Sequence, residues 1–241
     1  IFVSGSGNCI SSFVMKDGVI KEGVSTANGG GGQGGNVNVV GLFELDGGEV
    51  KDGHAEGNGG GNIAVALATS QFRMNGGKVT GGTATTAHAG GIYSFYQAGA
   101  NGTLITGGEI SGNDTGLGVS VGGVTIMGNP VIKDNNGENI FVLAGKTIYL
   151  ADPLTLEKED STVVDPTLHF AFDDLSRYKD HSVVKHLSAD YAIGDYHFDI
   201  TMPVVIENGD LHVLFGENQA MTGSVNNDEL NKFLLQLNYF S

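Results

Sequence analysis

Five of the seven histidines, His169, His181, His186, His197 and His212, fall in the last third of the chain. His197 and Asp199 stand two apart, and alternate residues of a strand point to one side, so this pair could ligate a metal or orient a base. Spacing assigns no further ligand, and histidines that simply satisfy their surroundings are the plainer reading. Asp173 and Asp174 form an adjacent acid pair in FDDLS. Glycoside hydrolysis uses two carboxyl groups, one protonating the leaving oxygen and one activating water or attacking the sugar. Solvated acids near a chain corner explain the pair more simply. Acids and amides cluster again at Asn113-Asp114 and at Asp134-Asn135-Asn136. Calcium is the cation such oxygens could bridge. Turn chemistry is the simpler account, because Asn and Asp tolerate left-handed backbone and bond nearby peptide groups. Stacked asparagine ladders are a further use for them. No catalytic residue, metal site or cofactor is assigned.

Tyr93, Phe95 and Tyr96 make an aromatic knot beside the segment 98–101. On a strand, Tyr93 and Phe95 share one face and Tyr96 takes the other, so one face should look outward, where aromatic rings can stack on sugars. These three are the candidate carbohydrate-binding residues, with core packing as the competing role. Gly30, Gly32 and Gly35 satisfy the GxGxxG spacing. A dinucleotide fingerprint must open a helix, whereas NVNVV comes next here, an alternating strand, so the run reads as a loop. Cys9 is the only cysteine, which rules out an internal disulfide framework and a thiolate zinc site.

The elements that position these residues announce themselves as repeats. FVMKDGVIKEG at 13–23, FELDGGEVKDG at 43–53, FRMNGGKVTGG at 72–82 and TLITGGEISGN at 103–113 share one plan, and VTIMGNPVIKDN at 124–135 is a looser fifth copy. Met15, Leu45, Met74 and Ile105 occupy the same place at spacings of 30, 29 and 31 residues, and Ile126 comes after only 21. The long copies therefore carry about ten residues more than a basic coil of about twenty. Small, polar, glycine-rich stretches at 25–35, 55–61 and 83–90 account for them as loops inserted at one corner.

Within each copy two short strands flank a glycine corner, and a third lies beyond the loop at 36–40, 62–66, 91–95, 117–121 and 139–143. Three strands per coil, with no amphipathic helix to serve as a crossover, predict an all-β, right-handed parallel β-helix, a single-stranded solenoid stacking coil on coil. The β-helix should occupy 1–215, with regular coils over 13–155 and irregular ones over 156–215. Strand-like runs at 147–150, 168–172, 182–187, 191–193, 196–200, 204–207 and 211–215 supply the irregular part. The remainder, 216–241, is a tail or short C-terminal cap helix, since Leu230, Phe233, Leu234 and Leu237 keep helical spacing over an end that would otherwise expose strand edges.

Charge narrows the partners. Twenty-seven acidic residues against twelve basic ones leave a net charge of −15, which disfavours nucleic acid and anionic membrane surfaces. No apolar run is long enough to span a bilayer, so no membrane insertion is expected within this chain.

The copies GGEISGNDTG from Gly107 and NPVIKDNNGENIFVLAGKTIYLADPLT from Asn129 resemble the pectate-lyase-like β-helix repeats of bacterial adhesin-like surface proteins. Gly90-Gly91-Ile92 and Phe72-Arg73-Met74-Asn75 show a partial likeness to the repeats of chlamydial polymorphic outer-membrane proteins. The resemblance implies a secreted or cell-surface, extracellular location and a non-catalytic role as structural rod or adhesive face. A glycan or a surface protein is the expected ligand, and self-association into filaments is an expected assembly. The same fold leaves two alternatives: a polysaccharide lyase or glycoside hydrolase, and a trimeric phage tailspike-like fiber. Of the polygalacturonase motifs NTD, DD, GHG and RIK the chain has only DD, and two arginines cannot line a cleft for polyuronates.

Overall fold

Runs of three to five alternating residues between glycine corners bury one face only if other runs of the same kind stack against them. The computed structural model describes residues 1–4, 11–26, 33–57, 59–85, 89–95, 102–120, 123–143, 145–154, 168–172, 182–187, 197–199 and 204–213. Among these there is no helix, and the strands wind into a parallel β-helix.

After β1 (Phe2–Val3), the first coil runs through β2 (Ser12–Met15), β3 (Val19–Lys21), β4 (Val24–Ser25) and β5 (Val37–Val39). The plan repeats as β6 (Leu42–Leu45), β7 (Glu49–Lys51), β8 (His54–Ala55), β9 (Ile63–Val65), and again as β10 (Gln71–Met74), β11 (Lys78–Thr80), β12 (Thr83–Ala84), β13 (Ile92–Ser94). Two shorter coils come next, β14 (Thr103–Ile105), β15 (Glu109–Ser111), β16 (Leu117–Val119) and β17 (Val124–Gly128), β18 (Val131–Ile132), β19 (Ile140–Val142). Beyond them lie β20 (Ile148–Leu154), β21 (His169–Phe172), β22 (Ser182–Lys185), β23 (His197–Asp199), β24 (Val204–Glu207) and β25 (Asp210–Val213).

Stacking produces four sheets. The first is β1-β5-β9-β13-β16-β19-β21-β23, the second β2-β6-β10-β14-β17-β20-β22-β25-β24, the third β3-β7-β11-β15-β18 and the fourth β4-β8-β12. The first three are the faces expected from the repeats. The fourth is new. Each inserted loop begins with a two-residue strand that pairs with its counterparts, so only the long coils carry it.

The register is that of the aligned copies. Met15, Leu45, Met74, Ile105, Ile126 and Leu150 form one inward row of the second sheet, and Ile20, Val50, Val79, Ile110 and Ile132 one of the third. Phe13, Phe43 and Phe72 stack within another row, with ring centroids 5.3 and 5.4 Å apart. That row passes next to Thr103, whose hydroxyl lies 3.3 Å from that of Ser94, so two buried polar groups satisfy each other where the aromatic stack stops.

Corners obey the same repetition. Where the chain leaves the third sheet, Glu22, Asp52, Gly81, Gly112 and Asp134 occupy equivalent places, and all five have positive φ, from +53° to +65°. The left-handed corner explains why glycine or aspartate recurs there, Glu22 being the one longer side chain.

Inside that corner runs an asparagine ladder. Asn36 Nδ2 donates to Asn62 Oδ1 (2.8 Å), Asn62 to Asn113 (3.1 Å), Asn113 to Asn135 (3.0 Å) and Asn135 to Asn139 (2.9 Å). Each amide also ties down backbone: the N–H groups of Gly23, Gly53 and Gly82 donate to Asn36, Asn62 and Asn113, which in turn donate to the carbonyls of Lys51, Thr80 and Val79. The third coil contributes no asparagine to the ladder. It carries Gly82 and Gly91 instead, and a Cβ on either would run into the Asn62 or Asn113 side chain. Two glycines thus leave the room that asparagines from the coils on either side fill.

The C-terminal part departs from further coiling. β24 and β25 pair antiparallel, and β25 also pairs antiparallel with β22, closing the second sheet with a hairpin. Asn208 and Gly209 make its turn at φ +53° and +82°, the geometry an Asn-Gly hairpin turn favours. The segment 204–213 is therefore not another coil. The expected cap helix at 216–241 and the expected strand at 191–193 lie outside the described residues.

Replacing Asn113 by the isosteric Leu leaves the Gly82 N–H and the Asn62 amide short of a buried acceptor. Denaturant unfolding should show a loss of about 2–4 kcal/mol. Asn38→Ala is the control, since its buried Oδ1 has no hydrogen-bond partner among the described residues, and it should cost no more than about 1 kcal/mol. Equal losses at the two sites would count against the ladder.

Candidate functional site

Tyr93 lies in the middle of β13, on the side of the strand opposite the core residues Ile92 and Ser94. Its register partners are Ala64 and Gly118, both too small to compete with its ring for space. The ring stands 5.5 Å from that of Phe95, so these two aromatics share a side. Tyr93 is only 1% exposed, whereas Phe95 is half-buried. Burial pushes the Tyr93 phenol up from its ordinary value, and a hydrogen bond with Ser120 partly offsets this. The group is thus a fixed neutral hydroxyl and no base. Of these two residues, Phe95 is the more accessible. Tyr96 lies outside the described residues.

The register of the first sheet sets His169 beside His197, and Ala171 beside Asp199. The HxD pair therefore sits on a strand whose neighbour carries a second histidine at the adjoining position. Among the described residues, no three His, Cys, Asp or Glu groups gather into a metal-holding cluster. Asp173, Asp174, His181, Cys9 and glycines 29–32 lie outside the described residues. Asn113 and Asn135, whose oxygens were candidates for calcium, are committed to the ladder, while Asp114 accepts from the Ala84 N–H at 3.3 Å.

A constellation that spacing gave no means of finding forms where the parallel strands meet the closing hairpin. The Ser182 hydroxyl donates to Asp210 Oδ2 (3.0 Å) and lies 3.4 Å from His212 Nε2. Serine, histidine and aspartate would suggest nucleophilic catalysis, but that chemistry needs the imidazole between the other two, with the carboxylate bonded to its far nitrogen. Here the carboxylate accepts the hydrogen bond of the serine hydroxyl directly, and Ser182 is buried. Asp210 Oδ1 also accepts the His186 N–H at 3.0 Å, and the Leu187 N–H bonds the Gly209 carbonyl at 2.7 Å. The group clips the hairpin onto β22. The residues share no sequence spacing because β22 and β25 become neighbours only through the hairpin's reversal.

Ion pairs on the outer face of the third sheet run both between coils and within one strand. Lys78 Nζ bonds Glu109 at 2.7 Å, and Lys51 bonds Glu49 at 3.1 Å. A hydrogen bond from Lys78, helped by Ser111, holds the Glu109 carboxyl below its ordinary range. Hydrogen bonds from Lys51 and Thr80 do the same for Glu49. These rows neutralise charge along a sheet face.

Burial works to raise the Asp210 carboxyl, but the His186 N–H, the Ser182 hydroxyl and the nearby His186 and Lys185 charges outweigh it, and the net shift is downward. A depressed carboxylate stabilises the fold above its unfolded-state value and stops doing so as pH falls through the folded-state value. The stability difference between wild type and Asp210→Asn should therefore be greatest near neutrality and shrink as pH drops below about 4, the ordinary aspartate range. Urea unfolding at several pH values measures it, and a pH-independent difference would show that the Asp210 charge contributes nothing.

No family model, curated protein or solved structure matches this chain.

Proposed function

We propose that the chain is a non-catalytic structural or adhesive rod of an extracellular surface, whose outer faces bind an extended glycan or a surface protein. One observation supports this above the others. From β2 to β20 the second sheet stacks strand on strand, giving an outward row of Val14, Glu44, Arg73, Leu104, Thr125 and Tyr149. The third sheet presents Val19, Glu49, Lys78, Glu109 and Val131 in the same way. Such rows repeat at the strand spacing of about 4.8 Å. A surface that repeats along one axis suits a ligand that is itself a polymer, because each added unit finds an equivalent set of contacts. The mixed charges and half-buried apolar groups on these rows can hydrogen-bond sugars and cover their apolar faces. The partly open ring of Phe95 adds an aromatic contact on the neighbouring sheet.

Incubating the purified protein with a polysaccharide library and analysing both bound and released material tests this reading. Retention of a polymer with no shorter products is the expected result, with Phe95→Ala weakening retention and Tyr93→Phe changing it little. Release of oligosaccharides or unsaturated sugars would sink the non-catalytic reading in favour of a lyase or hydrolase.

A further inference from the structure

The column that carries the asparagine ladder changes its chemistry late in the first sheet. Ile63, Ile92, Leu117, Ile140, Phe170 and Phe198 stand in one register row of that sheet and pack in the core. One place before that row come Asn62, Gly91, Gly116, Asn139, His169 and His197. Asn62 and Asn139 belong to the ladder, whereas the last two members are imidazoles paired directly across β21 and β23. Among the described residues they are the only two histidines that meet in register.

That change alters what the column can hold. An amide both donates and accepts, so amides stacked coil on coil satisfy one another. A neutral imidazole donates from one nitrogen and keeps a lone pair on the other, which makes it the commonest metal ligand among side chains. Neighbouring strands lie about 4.8 Å apart. At that spacing two imidazoles at one register position can share an ion at metal–nitrogen distances of about 2.0–2.1 Å. Alternation assigns Ala171 and Asp199, the next register pair on the same face, to positions beside them. There a small residue leaves room and a carboxylate favours a cation. No third His, Cys, Asp or Glu completes a metal-holding cluster among the described residues, so water fills the remaining positions. A set of imidazole and water selects copper, nickel and zinc over calcium and magnesium.

We infer that His169 and His197 form a site for one divalent transition-metal ion of the zinc, nickel and copper class, which cross-links β21 to β23. The two strands pair over only three residues, so a shared ion ties them together where the backbone ladder is short. Calorimetric titration of the whole chain with zinc chloride, and separately with nickel chloride, should show binding that depends on both histidines. His169→Gln and His197→Gln each keep a hydrogen-bonding side chain and should each weaken it by about tenfold or more, since outer-shell partners alone are worth 10–100-fold. His54→Gln, on the fourth sheet, should leave it unchanged. Zinc should raise the unfolding temperature of the wild type and not that of either variant. A measurement on the wild type alone covers the case of a variant that does not fold: zinc should protect His169 and His197, but not His54, from carbethoxylation mapped by mass spectrometry. No zinc or nickel binding, binding that survives both glutamine substitutions, binding lost with His54→Gln, equal or tighter binding of calcium, or zinc protection that bypasses His169 and His197 would each overturn the inference. The two imidazoles would then only continue the polar column.

Discussion

Parallel pairing in strict register is the constraint on which the rest of this structure depends. A strand that slipped by one residue would turn its whole apolar set outward. Met15, Leu45, Met74, Ile105 and Ile126 stay in one row only because equivalent corners between sheets take the same conformation from coil to coil. The positive φ at Glu22, Asp52, Gly81, Gly112 and Asp134 is the local expression of that rule. Loops can vary by about ten residues where they leave the stack, because they return to the same register on the next face.

The asparagine ladder serves this constraint from inside the corner. A buried amide must find both donors and acceptors, so each member fixes its neighbours at the coil-to-coil distance and pins backbone segments as well. Apolar side chains in the same place would fill the volume without reading the register. The glycine pair of the third coil shows that the ladder is a property of the stack rather than of any coil, since Asn62 and Asn113 close the gap between them.

Much of the solenoid was legible in the sequence because a repeat exposes its own register. The observed strands Val37–Val39, Ile63–Val65, Ile92–Ser94, Leu117–Val119 and Ile140–Val142 each lie within the stretch that alternation marks. Legibility failed where pairing is not periodic. The two-residue strands His54–Ala55 and Thr83–Ala84 are too short to alternate, and they belong to a sheet only because a neighbouring coil offers an edge. Asn208-Gly209 is a readable hairpin signal, yet an expectation of continued coiling absorbs the strands on either side of it. The aromatic site was legible in part. Alternation puts Tyr93 and Phe95 on one side, but burial depends on the small residues Ala64 and Gly118 in neighbouring coils, and a single copy does not display those.

The C-terminal part of the stack meets a different demand. Within the stack the first and second sheets cover each strand edge with the next coil, while the third and fourth sheets stop at β18 and β12. At the C-terminal side the chain reverses, and the Ser182–Asp210 hydrogen bond with the Leu187–Gly209 backbone bond holds the antiparallel hairpin against the last parallel strand of that sheet. Acidic residues outnumber basic ones along the chain, and like charge on neighbouring molecules discourages their clustering.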